Sequence, residues 1–190
     1  MLQQQLEEIR NNHYVMDTIN MDSLISNMLK HIGVTDSYLR DKLICSTFYH
    51  LIKKDYLSHT QLQKLLLESI SDKYLLYKIH SDDEDAVFTR AFTTLLIALI
   101  IDADTNHNFL SQADLLHVKD RLVLYMNNEH DLVAQLPVQK QTLHIKSYEY
   151  LYGNIKSFLR SLFFRLRTLS ICEETECEIE KLLQELPKYY

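Results

Sequence analysis

The chain has 190 residues, 46% hydrophobic and 24% charged, with a net charge of −6; this is ordinary globular composition, enough for one domain or one continuous helical stack. The acid excess argues against general nucleic-acid binding, because neutralising phosphates needs a basic surface. Two glycines and two prolines, where about a dozen of each is typical for this length, argue against hairpin-rich folds and for long helices with simple connectors.

With glycine only at positions 33 and 153, no Walker A loop, G-x-G-x-x-G turn or G-x-S-x-G elbow can be written on the chain. Three scattered cysteines, Cys45, Cys172 and Cys177, fit a reducing cytoplasm better than a disulfide framework. The opening MLQQQLEEIRNN lacks the basic start and apolar run of a signal peptide.

Taken in order, the apolar residues recur at helical spacing. Leu24, Ile25, Met28, Leu29 and Ile32 make one stripe, which Gly33 is expected to close as a C-terminal cap. Leu39, Leu43, Ile44, Thr47, Phe48, Leu51 and Ile52 make the next. Leu62, Leu65, Leu66 and Ile70 follow, then a nearly all-apolar helix from Ala86 to Ile101. Its most apolar run, Ala91 to Ile101, holds 11 residues; a membrane span needs about 20, so a core helix is expected. Leu115, Leu116, Val118, Leu122, Val123 and Met126 form another stripe. The longest runs from Tyr148 to Leu166, and a short last helix is expected over 173–186.

Three starts carry capping signatures. Ser58 with Gln61 and Ser81 with Glu84 read as capping boxes, and Ser111 with Asp114 repeats the first pattern. Leu57-Ser58…Gln61-Leu62 and Leu110-Ser111…Asp114-Leu115 each follow a helix carrying a Leu-Ile pair. This weak repeat of helix, connector and capped helix, about 50 residues long, favours a HEAT-like stack of antiparallel helix pairs.

Between the repeats, DADTNHNFLSQADL (102–115) imitates the start of a calcium loop, with Asp102, Asp104, Asn106 and Asn108 at alternate positions. The imitation fails at the sixth and twelfth positions, where glycine and a bidentate glutamate are needed and His107 and Ala113 stand. A polar connector leading to a Ser111 cap explains every residue.

Other constellations are weaker. No two of the nine histidines lie three or four apart, and Cys172 and Cys177 have four residues between them, outside zinc spacing. The acids Asp82, Asp83, Glu84 and Asp85 sit where a helix start favours solvated acids. Lys140, Lys146, Lys156, Arg160, Arg165 and Arg167 face a single acid, Glu149, between 138 and 167. That basic amphipathic stretch reads as a packed helix with a solvated basic face, or as a surface for an acidic partner or a membrane. Phe164 falls among its polar positions and implies a second contact. Arg90 interrupts the apolar helix; pairing with an acid such as Asp41 or Asp85 is expected, since an unpaired buried charge is costly, and contact with a ligand anion is the functional alternative.

The stretches HIGVTDSYLRDKLICSTFYHLI (31–52), DYLSHTQLQKLLL (55–67) and DEDAVFTRAFTTLLIALI (83–100) together resemble the all-helical domain-of-unknown-function family 2785 of Gram-positive bacteria. Leu39-Arg40-Asp41, Ser46-Thr47-Phe48 and Val87-Phe88-Thr89-Arg90 carry the likeness, over roughly 20–132, and NIKSFLRSLFFRLR (154–167) is similar to the family's C-terminal part. The resemblance implies the fold and transfers no activity. The family's Gly-Trp-Ala-His…Ala-His helix has no counterpart after Leu132, because the chain has no tryptophan.

The expectation is therefore an all-α, HEAT-like single domain over 1–190 with about six to eight helices, linker-like at 133–146 and ending in helices over 147–190. A cytoplasmic, non-enzymatic interaction or scaffold protein is expected, without cofactor or metal. Its candidate contacts are Phe164, Arg160, Arg167, Arg90 and Asp41. The alternatives are a ligand- or metal-dependent enzyme or sensor near Arg90 and 82–85, and peripheral membrane attachment through 146–167.

Overall fold

The computed structural model describes residues 1–129. They form α1 (Leu2–Asn11), α2 (Met21–Lys30), a π-helical segment (Tyr38–Cys45) that continues as α3 (Ser46–Lys53), α4 (His59–Ser69), α5 (Ala86–His107) and α6 (Gln112–Asn128). The described part is all helical, with six α-helices and no strand. The segment 133–146 and the helices expected over 147–190 lie outside the described residues.

Helix α5 is the axis of the packing. It is apolar on all sides, which is the pattern of a helix enclosed by others. By length and composition alone it could cross a membrane, yet 78% of its most apolar window is buried. Helices α3 and α4 both pack against it, α2 packs on α4, and α1 packs on the π-helical segment. The predicted stripes supply the facing surfaces: Leu24, Ile25, Met28 and Leu29 on α2, Leu62, Leu65 and Leu66 on α4, Leu115, Val118 and Leu122 on α6. Each such side chain contributes about 1.5–3 kcal/mol by leaving water.

The repeat is visible in the connections. Asp55 and Asn108 are both left-handed, with φ of 54° and 53°, and each stands three residues before its capping serine. Leu57 and Leu110 are buried between. Ser58 and Ser111 then accept hydrogen bonds from the amides of Gln61 and Asp114, and both capping boxes close. The two capped ends lie side by side, His59 stacking on Phe109 with ring centroids 4.9 Å apart and Gln63 donating to Asp114 at 2.9 Å. The described residues hold two copies of this unit.

Four expectations are corrected. Leu2, Leu6 and Ile9 bury one face of α1, a helix absent from the sequence reading. Gly33 is no helix cap: α2 ends at Lys30 with His31 behind it, and Gly33 has no positive φ. It serves close packing instead, against Thr89 of α5. Ser81 is no N-cap, because α5 starts at Ala86; its hydroxyl donates to the Lys78 carbonyl and accepts from the Asp83 amide, within a separate turn. Finally, α5 continues through Asp102 to His107, so the connector is shorter than expected.

Candidate functional site

That last correction disposes of the calcium loop geometrically. At about 100° per residue, side chains at alternate helical positions diverge instead of converging, so Asp104 points away from Asp102 and Asn106. Asp104 is buried and accepts the Leu110 amide at 2.7 Å, which holds the connector. Asp102 pairs with Lys53 of α3. Among the described residues no group of three potential ligands converges.

The two candidate charges, Arg90 and Asp41, are not paired with each other. Arg90 is fully buried on α5 and forms a two-pronged ion pair with Glu129, at 2.7 and 2.9 Å. Its third bond, at 3.0 Å, goes to the Tyr77 carbonyl. One guanidinium thus ties the segment before α5 to the end of α6, and the planar fork suits this bidentate contact. The acid partner is Glu129 instead of Asp41 or Asp85. Of the acids at 82–85, Asp83 pairs with Lys78 at 2.7 Å; that bond, opposed by desolvation, holds the carboxyl below its ordinary range.

Asp41 belongs to a different arrangement. Asp36 opens the π-helical segment by accepting the amides of Tyr38 and Leu39. Arg40 then turns inward, buried, and reaches back to the carbonyls of Val34 and Thr35 at 2.8 and 3.2 Å. Its guanidinium lies 4.3 Å from the Phe88 ring centre and 4.8 Å from that of Phe92, and its Nε donates to Asp41 at 2.9 Å. Above this stack opens a hollow of about 250 Å³ lined by Asp41, Cys45, Ser46, Tyr49, His50 and Phe92. Its thiol is a poor nucleophile. Burial pushes Cys45 up to about 12, with the Asp41 carboxylate adding to the rise and Arg40 opposing it.

A larger opening lies where the segment after α4 crosses α6. Two hollows of about 520 and 440 Å³ share Asp72 and Arg121 in their walls. Arg121 donates from Nε to the Ile70 carbonyl at 2.8 Å and pairs through Nη2 with Asp72. Leu67 borders one hollow and Leu124 the other, and both are exposed, at 40% and 43%. The sequence carried a signal for them: each is a leucine off its helix's buried stripe. Phe164, Arg160 and Arg167 lie outside the described residues.

Residues 75–134 match the family DUF2785, described as a protein of unknown function. The DUF2785 match contains Arg90, Glu129, Arg121 and the Val87-Phe88-Thr89-Arg90 run. It is shorter than the 20–132 stretch in which the resemblance is read, and leaves out Leu39-Arg40-Asp41, Ser46-Thr47-Phe48 and 154–167. No curated protein and no solved structure matches the chain.

Proposed function

We propose that the chain is a non-enzymatic helical interaction module of the cytoplasm, built as a HEAT-like scaffold, whose partner surface includes the groove around Arg121. The observation that carries this reading is the pair of exposed leucines, Leu67 and Leu124, at two hollows joined by one ion pair. Apolar anchors inside a polar rim are the usual anatomy of a protein interface. The enzyme or sensor alternative draws less support. Arg90 is buried and engaged by Glu129 and the Tyr77 carbonyl, which leaves it poorly placed to meet an anion.

The test is affinity purification of the tagged full chain from host cells, beside a Leu67→Asp/Leu124→Asp variant whose helical circular dichroism is unchanged. A stoichiometric partner recovered by the natural chain and lost by the variant is the expected result. Equal recovery by both would move the partner surface elsewhere. A small molecule recovered with the chain, in place of a protein, would favour the sensor reading.

A further inference from the structure

We infer that the Arg121 groove takes a short acidic segment of a partner protein, bearing leucine-type side chains; this rests on the interaction-module reading. The charge of the walls is the first argument. Lys73, Lys78, His80, His117 and Arg121 line the two hollows; among the described residues Asp72 is the one acid in their walls, and Asp83 pairs with Lys78 from beside them. This is a basic patch on a chain whose net charge is −6. Local surplus of one sign steers a partner of the other sign and fixes its register.

Exchange is the second argument. Asp72 is the acid that now satisfies Arg121, and its side chain is 82% exposed. Exposed ion pairs hold weakly, so an incoming carboxylate can take its place on Nη2 while Nε stays on the Ile70 carbonyl. Lys78 is held in the same loose way by Asp83, both about half exposed. Among the described residues no acid pairs with Lys73.

The third argument is apolar surface. Leu67 and Leu124 border the two hollows, exposed, and give the segment's leucine-type side chains something to cover.

The experiment uses the full chain and three fluorescein-labelled synthetic peptides. The first carries leucines at helical spacing with glutamates between, the second has lysines for the glutamates, and the third has serines for the leucines. Fluorescence anisotropy is expected to show saturable binding of the first alone, weakening as salt rises. Lys73→Glu and Leu124→Ser are each expected to weaken it about tenfold, the loss of one good contact. Binding of the lysine peptide as tightly as the glutamate one would overturn acid recognition while leaving the groove an interaction surface. Binding of none of the three would overturn the inference, and the purification experiment would then judge the module reading alone. A glutamate peptide that binds only after Glu173, Glu174, Glu176, Glu178 and Glu180 are changed to glutamine would also overturn it, assigning the groove to the chain's own acidic segment.

Discussion

Gly33 lies so close to Thr89 that a Cβ on it would meet the Thr89 Oγ1 at 1.9 Å and its Cα at 2.5 Å. The glycine is needed for space, since its backbone is not left-handed. Gly33→Ala is therefore expected to destabilise at the upper end of the about 1–3 kcal/mol typical of overpacking. Thr89→Gly should not rescue it, because the Thr89 Cα and amide nitrogen, at 2.5 and 2.6 Å, remain in the way. Urea unfolding of the two single variants and the double decides this. Recovery in the double would mean that the side chain alone sets the clash.

The Arg90–Glu129 pair makes a second prediction. Removing one member strands a buried charge, which costs about 3–5 kcal/mol, whereas an apolar replacement of both is often near neutral. Glu129→Ala should thus lower the urea midpoint more than Arg90→Met/Glu129→Leu does. The double still loses the bond to the Tyr77 carbonyl, so a small residual deficit is expected. Equal losses in both would show that packing at this place, and not the charge, matters.

This pair also shows where sequence reading stops. That Arg90 needs an acid follows from desolvation alone, but which acid depends on α6 returning to the start of α5, a matter of tertiary packing. Local signals fared better. Ser58 and Ser111 cap helices as read because their partners are three residues away. Ser81 has the same local pattern and fails, because Asp83 captures its turn by pairing with Lys78 and accepting the Asp85 amide. The stripes of α2, α4 and α6 were legible from spacing, and Leu2, Leu6 and Ile9 carried a signal of the same kind. The π-helical segment had none, because its widened turn goes with Arg40 reaching carbonyls that no periodicity marks. For the groove, only the off-stripe leucines were visible; the basic residues around it come from separate stretches of chain.

At the false calcium loop, calcium is expected to leave the thermal midpoint unchanged. Asp104→Ala is expected to lower it, since the Leu110 amide loses its acceptor in a buried place; an unsatisfied buried donor costs about 1–3 kcal/mol. Asn108→Gly should raise it slightly, glycine entering the left-handed region without strain. Calcium stabilisation that disappears in Asp104→Ala would contradict this account.

The capping boxes link stability to acid. Ser58→Ala and Ser111→Ala are each expected to cost about 1 kcal/mol. Burial tends to raise the Asp114 carboxyl, but bonds from the Ser111 hydroxyl and amide and from Gln63 outweigh it and hold the group below its ordinary value. A depressed carboxyl stabilises the folded state above its unfolded pKa, about 3.9, and this is lost as the pH falls through the folded value. The stability difference between the natural chain and Asp114→Asn should accordingly shrink as the pH is lowered from neutrality into that range. A difference that stays constant down to pH 2 would leave the charge of Asp114 without a role.

Cys45 gives the opposite sign at the alkaline end. With its thiol pushed up to about 12, the folded chain keeps the proton that the unfolded chain releases near about 8.5. The stabilisation is full below the unfolded value and is lost as the pH rises through the folded one. The natural chain should therefore lose stability above pH 8 more steeply than Cys45→Ala, in which this group is absent and the other titrations are shared. Reactivity follows the same logic, because the thiolate is the nucleophile. Iodoacetamide at pH 8 should leave Cys45 unmodified in the folded chain and label it in urea, with peptide mapping to separate it from Cys172 and Cys177. Asp41→Asn removes a carboxylate that raises the thiol and unmasks the Arg40 guanidinium beside it, so native labelling should speed up. Labelling as fast in the natural folded chain as in urea would show that Cys45 is not shielded at the π-helical turn.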